Sequence, residues 1–253
     1  MKFLQQLKER NPLLYWFGWF NMIVGLACIA GMFIDDMQLL SVNRWLKPMK
    51  FYLSVGVMVW TMGWLLYYLR NTKKIKQYSW LIVFTMFFEN GLILLQAFRA
   101  TTSHYNIKTP VDIMIFNFMG IFILIFTITC ILICIAFFRQ KSFNIPTSYV
   151  WGIRLGLLFF ILFSLEGGMM LGIMQHTVGA ADGTSGIPLL NWSRQYGDLR
   201  IAHFFGIHSL QVLPIAGYYL VKSKQQLFMA AAVYFIAVVF VFVQALRGIS
   251  LFS

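Results

Sequence analysis

Seven stretches of about twenty residues or more, at 12–34, 51–69, 78–98, 111–138, 148–173, 199–221 and 226–246, are apolar almost throughout, with no more than two formal charges in any of them. At 1.5 Å per residue, a helix of about 20 residues crosses the roughly 30 Å hydrocarbon core of a bilayer. Short polar segments separate the stretches. The pattern predicts an all-α fold, a polytopic transmembrane helix bundle of about seven spans that forms a single integral membrane domain over residues 1–253. No internal repeat stands out, and seven spans do not divide into the equal halves of inverted-repeat transporters.

Composition agrees with that reading and closes off others. Hydrophobic residues make up 60% of the chain and charged residues 11%, against about 25% charged in a soluble domain. The net charge of +12 would raise the question of nucleic acid in a soluble protein, but here the bases lie between apolar runs, where they meet lipid headgroups and orient the chain. The expected partners are therefore membrane lipids and not nucleic acid. Cys28, Cys130 and Cys134 all fall inside apolar runs, where a thiol packs as a small hydrophobe, and no disulfide framework follows.

Placing the N-terminus in the cytoplasm puts Lys2, Lys8, Arg10, Arg70, Lys73, Lys74, Lys76, Arg139, Lys141, Lys222 and Lys224 inside, with Arg154 just within the fifth span. Arg44, Lys47, Lys50, Arg99, Lys108, Arg194, Arg200 and Arg247 fall on the other side. The asymmetry favours a cytoplasmic N-terminus and an outside C-terminus. The first apolar run is long, and Gly25 stands where a lipoprotein cleavage box before Cys28 would need leucine, so the segment reads as an uncleaved span. Trp16, Trp19, Trp64, Trp80, Trp151 and Trp192 lie near span ends, as interfacial anchors do.

The polar chemistry collects on the outer side. Seven of the eight acids (Asp35, Asp36, Glu89, Asp112, Glu166, Asp182 and Asp198) lie outside or within spans, as do all four histidines. Ionisable groups in a span cost about 2.5–3.5 kcal/mol each on insertion scales and normally face a protein interior or a wet cavity. The third span carries Glu89 and Asn90, then Gln96 and Arg99; Glu89 and Gln96 share a face. Alternative roles are a glutamate that fixes packing and an arginine that snorkels. The sixth span carries Arg200, His203, His208 and Gln211 within one arc of about 140° at 100° per residue. The two histidines are five apart, so a metal would need ligands from elsewhere. Asp198 and Asp112 also suit helix caps, and Lys47 and Lys50 suit headgroup contacts. The fifth span adds Ser164, Glu166, Gly167 and Gly168, followed by a long loop from His176 to Gly197 that reads as a lid or binding element, or as a mobile loop.

Three words carry a resemblance: Trp45-Leu46-Lys47-Pro48-Met49-Lys50-Phe51; Ser103-His104-Tyr105-Asn106 leading to Thr109-Pro110-Val111-Asp112; and Gly197-Asp198-Leu199-Arg200 through His203-Phe204, His208 and Leu210-Gln211. By these the chain resembles, over most of its length, a family of uncharacterised bacterial polytopic integral membrane proteins of seven spans. The resemblance implies the bacterial cytoplasmic (inner) membrane as location and brings no activity, cofactor or catalytic residue. The seven-helix zinc hydrolases of the alkaline ceramidase and adiponectin-receptor type also combine serine, aspartate and three histidines. They place H-x-x-x-H on the last span, which here contains no histidine.

Three functions compete. The first is a membrane-embedded enzyme or metal- or cofactor-binding protein acting on a lipid or other hydrophobic substrate. Glu89, Glu166 and Asp198 would be its catalytic or base residues, and His104, His176 and His203 would be ligands for a metal ion or haem. The second is a transporter or receptor for a small polar or anionic ligand, bound by Lys50, Asn90, Gln96, Arg99, Arg200, His208 and Gln211, with Glu89 and Glu166 proton-coupled. The third is a structural partner in a membrane complex.

Overall fold

The computed structural model describes residues 2–184 and 186–252. The described residues form α1 (Lys2–Arg10), α2 (Pro12–Ile34), β1 (Gln38–Leu39), β2 (Val42–Asn43), α3 (Leu46–Leu66), α4 (Thr72–Phe98), α5 (Pro110–Arg139), α6 (Thr147–Ile173), β3 (Thr177–Val178), β4 (Gly197–Asp198), α7 (Leu199–Ile215) and α8 (Lys224–Leu246). A π-helical turn, Ala216–Leu220, continues α7 without a break. Six helices, α2 to α6 and α8, are long and apolar enough to cross a membrane. With its π-turn, α7 covers the sixth of the seven expected spans, the one at 199–221. The chain is an all-α, multi-pass membrane protein.

Two span starts lie earlier than the apolar pattern places them. α3 begins at Leu46, because Pro48 in its first turn has no N–H that the helix would need to satisfy. α4 begins at Thr72, where the Asn71 side chain accepts from the Lys74 backbone N–H; its first turns carry Lys73, Lys74 and Lys76 beyond the apolar core. The amphipathic α1 escapes a search for long apolar runs. It buries Leu7 and lays Arg10 over the Trp64 ring, 3.7 Å from its centroid.

The chain divides into two compact units, Met1–Thr129 and Cys130–Ser253. In unit 1, α2 and α3 form the main helix pair, and α4 packs on them. Glycines let the pair approach closely: a side chain at Gly18 would collide with Trp60, and one at Gly56 with Met22. Asn11 joins the elements at one end, capping α2 through Leu14 N and donating to Ser79 Oγ at 2.8 Å. At the other end, β1 and β2 form a hairpin turned by Leu40 and Ser41, both at positive φ. Asp35 closes that loop by accepting from Met37 N, Trp45 Nε1 and Arg44. The Met37 N–H, and then Trp45 and Arg44, hold its carboxyl below the usual carboxylate range against the opposing effect of burial.

In unit 2, α6 and α7 form the equivalent close pair, and α8 packs on both. A side chain at Gly152 would stand 2.5 Å from the Leu213 carbonyl oxygen, and one at Gly156 would stand 2.8 Å from that of Ser209. Ser148 Oγ donates to the Gly217 carbonyl at 2.7 Å and Ser209 Oγ to that of Gly156 at 3.0 Å, so the seam is hydrogen-bonded as well as packed. Arg154 caps the end of α5 through the Phe137 and Gln140 carbonyls. The loop from α6 to α7 is drawn in by the antiparallel β3–β4 pair.

Candidate functional site

Each unit builds its own polar cluster. In unit 1 the deepest part lies where α2 meets α4. Asn21 is fully buried and donates to the Phe17 carbonyl at 2.7 Å; its Oδ1 accepts from Asn90 Nδ2 at 2.8 Å. Glu89, 5% exposed, lies nine residues before the end of α4, about 14 Å along the axis. Its Oε2 and the Oδ1 of Asn90 are buried without a hydrogen-bond partner among the described residues. Lys47 comes from the first turn of α3. Lys47 Nζ lies 3.2 Å from His104 Nδ1, which lies 3.0 Å from Ser103 Oγ. A line of polar groups thus joins the loop after α4 to the start of α3.

Gln96 and Arg99 belong to a separate network in the same unit. Gln96 Nε2 and Arg99 Nη1 both donate to Asp112 Oδ1, at 3.0 and 2.7 Å, and Arg99 also donates to Gln96 Oε1 at 2.5 Å. Thr109 Oγ1 donates to the other Asp112 oxygen, while the Asp112 backbone N–H donates to Thr109 Oγ1. Asp112 is therefore more than a helix cap. It ties the end of α4 to the start of α5.

In unit 2, His203 comes off α7 against Gly167, where an added Cβ would lie 2.8 Å from its ring. Its Nδ1 is 2.8 Å from the Phe163 carbonyl oxygen and 3.3 Å from Glu166 Oε2. A carbonyl only accepts, so Nδ1 carries the proton. Glu166 Oε1 is the third buried oxygen without a partner among the described residues. The four polar groups of the α7 arc do not act together. Arg200 forks onto both oxygens of the buried Asp198 and donates to the Asn191 carbonyl. His208 Nδ1 and Gln211 Oε1 lie 3.3 Å apart, with Phe204 tilted against the imidazole at a 4.3 Å centroid distance. Asp198 caps α7 through the Arg200 N–H and also receives the Ser193 N–H.

His176 pairs with Asp182 at 2.5 Å, and the same carboxylate receives both backbone N–H groups of His176 and Thr177 and the Thr177 hydroxyl. Burial raises the Asp182 carboxyl, but the bonds and charge of His176, with those of Thr177, outweigh it and leave the group well below the ordinary range. The three histidines with metal-ligand chemistry thus keep separate company: His104 with Lys47 and Ser103, His176 with Asp182, His203 with Glu166. Among the described residues, no three His, Cys, Asp or Glu side chains form a metal-sized group.

Asn21 is the residue the sequence reading missed. A lone amide in an otherwise apolar span was its only signal. No protein family, curated protein or solved structure matches the chain.

Proposed function

We propose that the protein is a carrier of the bacterial cytoplasmic membrane, with its N-terminus inside, that moves a small polar or anionic ligand with Glu89 and Glu166 as proton-accepting groups. The observation that carries this reading is the set of buried acceptor oxygens, Glu89 Oε2, Asn90 Oδ1 and Glu166 Oε1, left without donors inside spans. A structural polar group in a dry interior satisfies its hydrogen bonds, because leaving one unmet costs about 1–3 kcal/mol. A carboxylate held short of donors instead takes up a proton or a donor-bearing ligand.

The test is proton flux in proteoliposomes loaded with a pH-sensitive dye. Wild type dissipates an imposed pH gradient faster than empty liposomes, and Glu89→Gln abolishes the difference. Equal leak in wild type and empty vesicles removes the reading. One observation favours a second reading, a metal- or haem-binding enzyme with a lipid substrate. His203 is fixed through its Nδ1 proton onto a carbonyl and a carboxylate, the support that metal-ligating histidines receive. Elemental analysis and an absorption spectrum on tag-free protein decide it: about one metal or haem per chain, lowered by His203→Ala, supports this second function.

A further inference from the structure

We infer that the chain is a tandem duplication of one three-helix unit, with α5 as the joining span, and that His203, which stands where the first copy has Lys50 at the opening of its second helix, positions the charge of Glu166. The second clause rests on the carrier reading above; the first does not. Three words recur in the same order and at the same structural positions. The first helix of each unit opens with Pro12-Leu-Leu-Tyr15-Trp-Phe17-Gly18, proline in its first position, and Pro146-Thr-Ser-Tyr149-Val-Trp151-Gly152, proline at its cap, sharing proline, tyrosine, a large aromatic residue and glycine. The second starts Leu46-Lys47-Pro-Met-Lys50-Phe51 and Leu199-Arg200-Ile-Ala-His203-Phe204. The third ends Gln96-Ala97-Phe98-Arg99-Ala100 and Gln244-Ala245-Leu246-Arg247-Gly248.

Structure repeats with sequence. The first five residues of α3 and of α7 follow one burial pattern: buried, half-buried, buried, buried, half-buried. Gly18 faces Trp60 and Gly152 faces Leu213, in each case the fifteenth residue of the second helix; Met22 faces Gly56 and Gly156 faces Ser209, in each case the eleventh. The two helix pairs therefore cross in the same register. The third helices end in the same turn. Ala100 and Gly248 both have positive φ, and Thr101 N and Ile249 N both reach back to the glutamine carbonyl. Each glutamine's Nε2 donates to a carbonyl six residues on, Gln96 to Thr102 and Gln244 to Ser250.

In the second copy the opening segment meets a buried acid: His203 Nδ1 lies 3.3 Å from Glu166 Oε2 of α6. Glu89 and Glu166 are not counterparts, since Ala237 occupies the Glu89 position of the second copy. The copies have thus diverged in which helix carries the buried acid, α4 in the first and α6 in the second. No fixed period appears in the sequence because the loop between first and second helices is longer in unit 2 and the next loop is shorter. A single joining span lets both copies cross in the same order, which reconciles seven spans with a duplicated carrier.

The test has two arms on the full chain in nanodiscs. In an experimental structure, superposing the three-helix units places Pro12 on Pro146, Gly18 on Gly152, Leu46 on Leu199 and Gln96 on Gln244 together. An offset of a helical turn in any one pair overturns the duplication, whatever the flux assay shows. In the flux assay, His203→Ala lowers proton flux about tenfold, and the residue of the other copy, in His203→Lys, restores most of it. An exchange variant as poor as alanine, or an alanine variant equal to wild type, overturns the positioning role. A wild type without flux removes the carrier reading and the positioning role together, and leaves the duplication to the first arm.

Discussion

Replacing Glu89 by methionine separates a working acid from a structural one. The side chain is 5% exposed, one of its oxygens has no donor among the described residues, and methionine fills a similar volume without polar atoms. Removing one unsatisfied buried acceptor releases about 1–3 kcal/mol. For a chain of this length 1 kcal/mol moves Tm by about 2–4 °C, so Glu89→Met gains between about 2 and 12 °C. The assay is thermal unfolding in detergent, followed by intrinsic tryptophan fluorescence beside proton flux in liposomes. Higher Tm with lost flux is the expected pair, the signature of stability given up for function. A lower Tm would refute the reasoning, since it would show that the carboxylate holds the unit together.

Other outcomes follow from single contacts. Gly152→Ala drives a Cβ to 2.5 Å from the Leu213 carbonyl oxygen and lowers stability by about 1–3 kcal/mol; Gly168→Ala, with nothing within 4 Å, leaves Tm unchanged or slightly higher. The Asp182 carboxyl is depressed in the folded protein, so its stabilisation is fully present above its unfolded value of about 4 and is lost as pH falls through the lower folded value. Asp182→Asn therefore lowers Tm at pH 7 and flattens the acid limb of a Tm–pH profile. Asp112→Ala frees Arg99 and Gln96 at once and costs about 1–3 kcal/mol, read by thermal unfolding, with Asp112→Asn intermediate because its amide oxygen still accepts.

The spans were legible because lipid imposes one long-range rule, about twenty apolar residues per crossing, and α2, α5 and α6 begin and end within a residue of the expected limits. The short amphipathic α1 obeys no such rule. It depends on partners, Trp64 and Tyr68 for Arg10, that are distant in sequence. Glu89, Glu166 and His203 stood out because ionisable residues are rare in spans. Their pairings did not, since a helical wheel places side chains on a face without saying which neighbour takes each one. The arc of Arg200, His203, His208 and Gln211 is real as a surface, yet Arg200 turns to the loop through Asp198 while His203 turns to α6. The duplication was hidden for another reason: its marks are caps, seam glycines and a terminal turn, and loops of unequal length destroy the period that a sequence scan detects.

The π-turn at Ala216–Leu220 gives α7 two mechanical halves. A turn with one extra residue shifts the phase of everything beyond it by about 100°, and Pro214 just before it removes an N–H from the ladder. The end beyond this point is pinned, because Gly217 sits against Ser148 and accepts its hydroxyl. The half bearing His203 and His208 is not bound to that pin by a continuous hydrogen-bond ladder. That half is held by its own contacts, the Ser209 hydroxyl on the Gly156 carbonyl and the Phe163 ring against Gly206, so each half of α7 takes its rotation separately from α6.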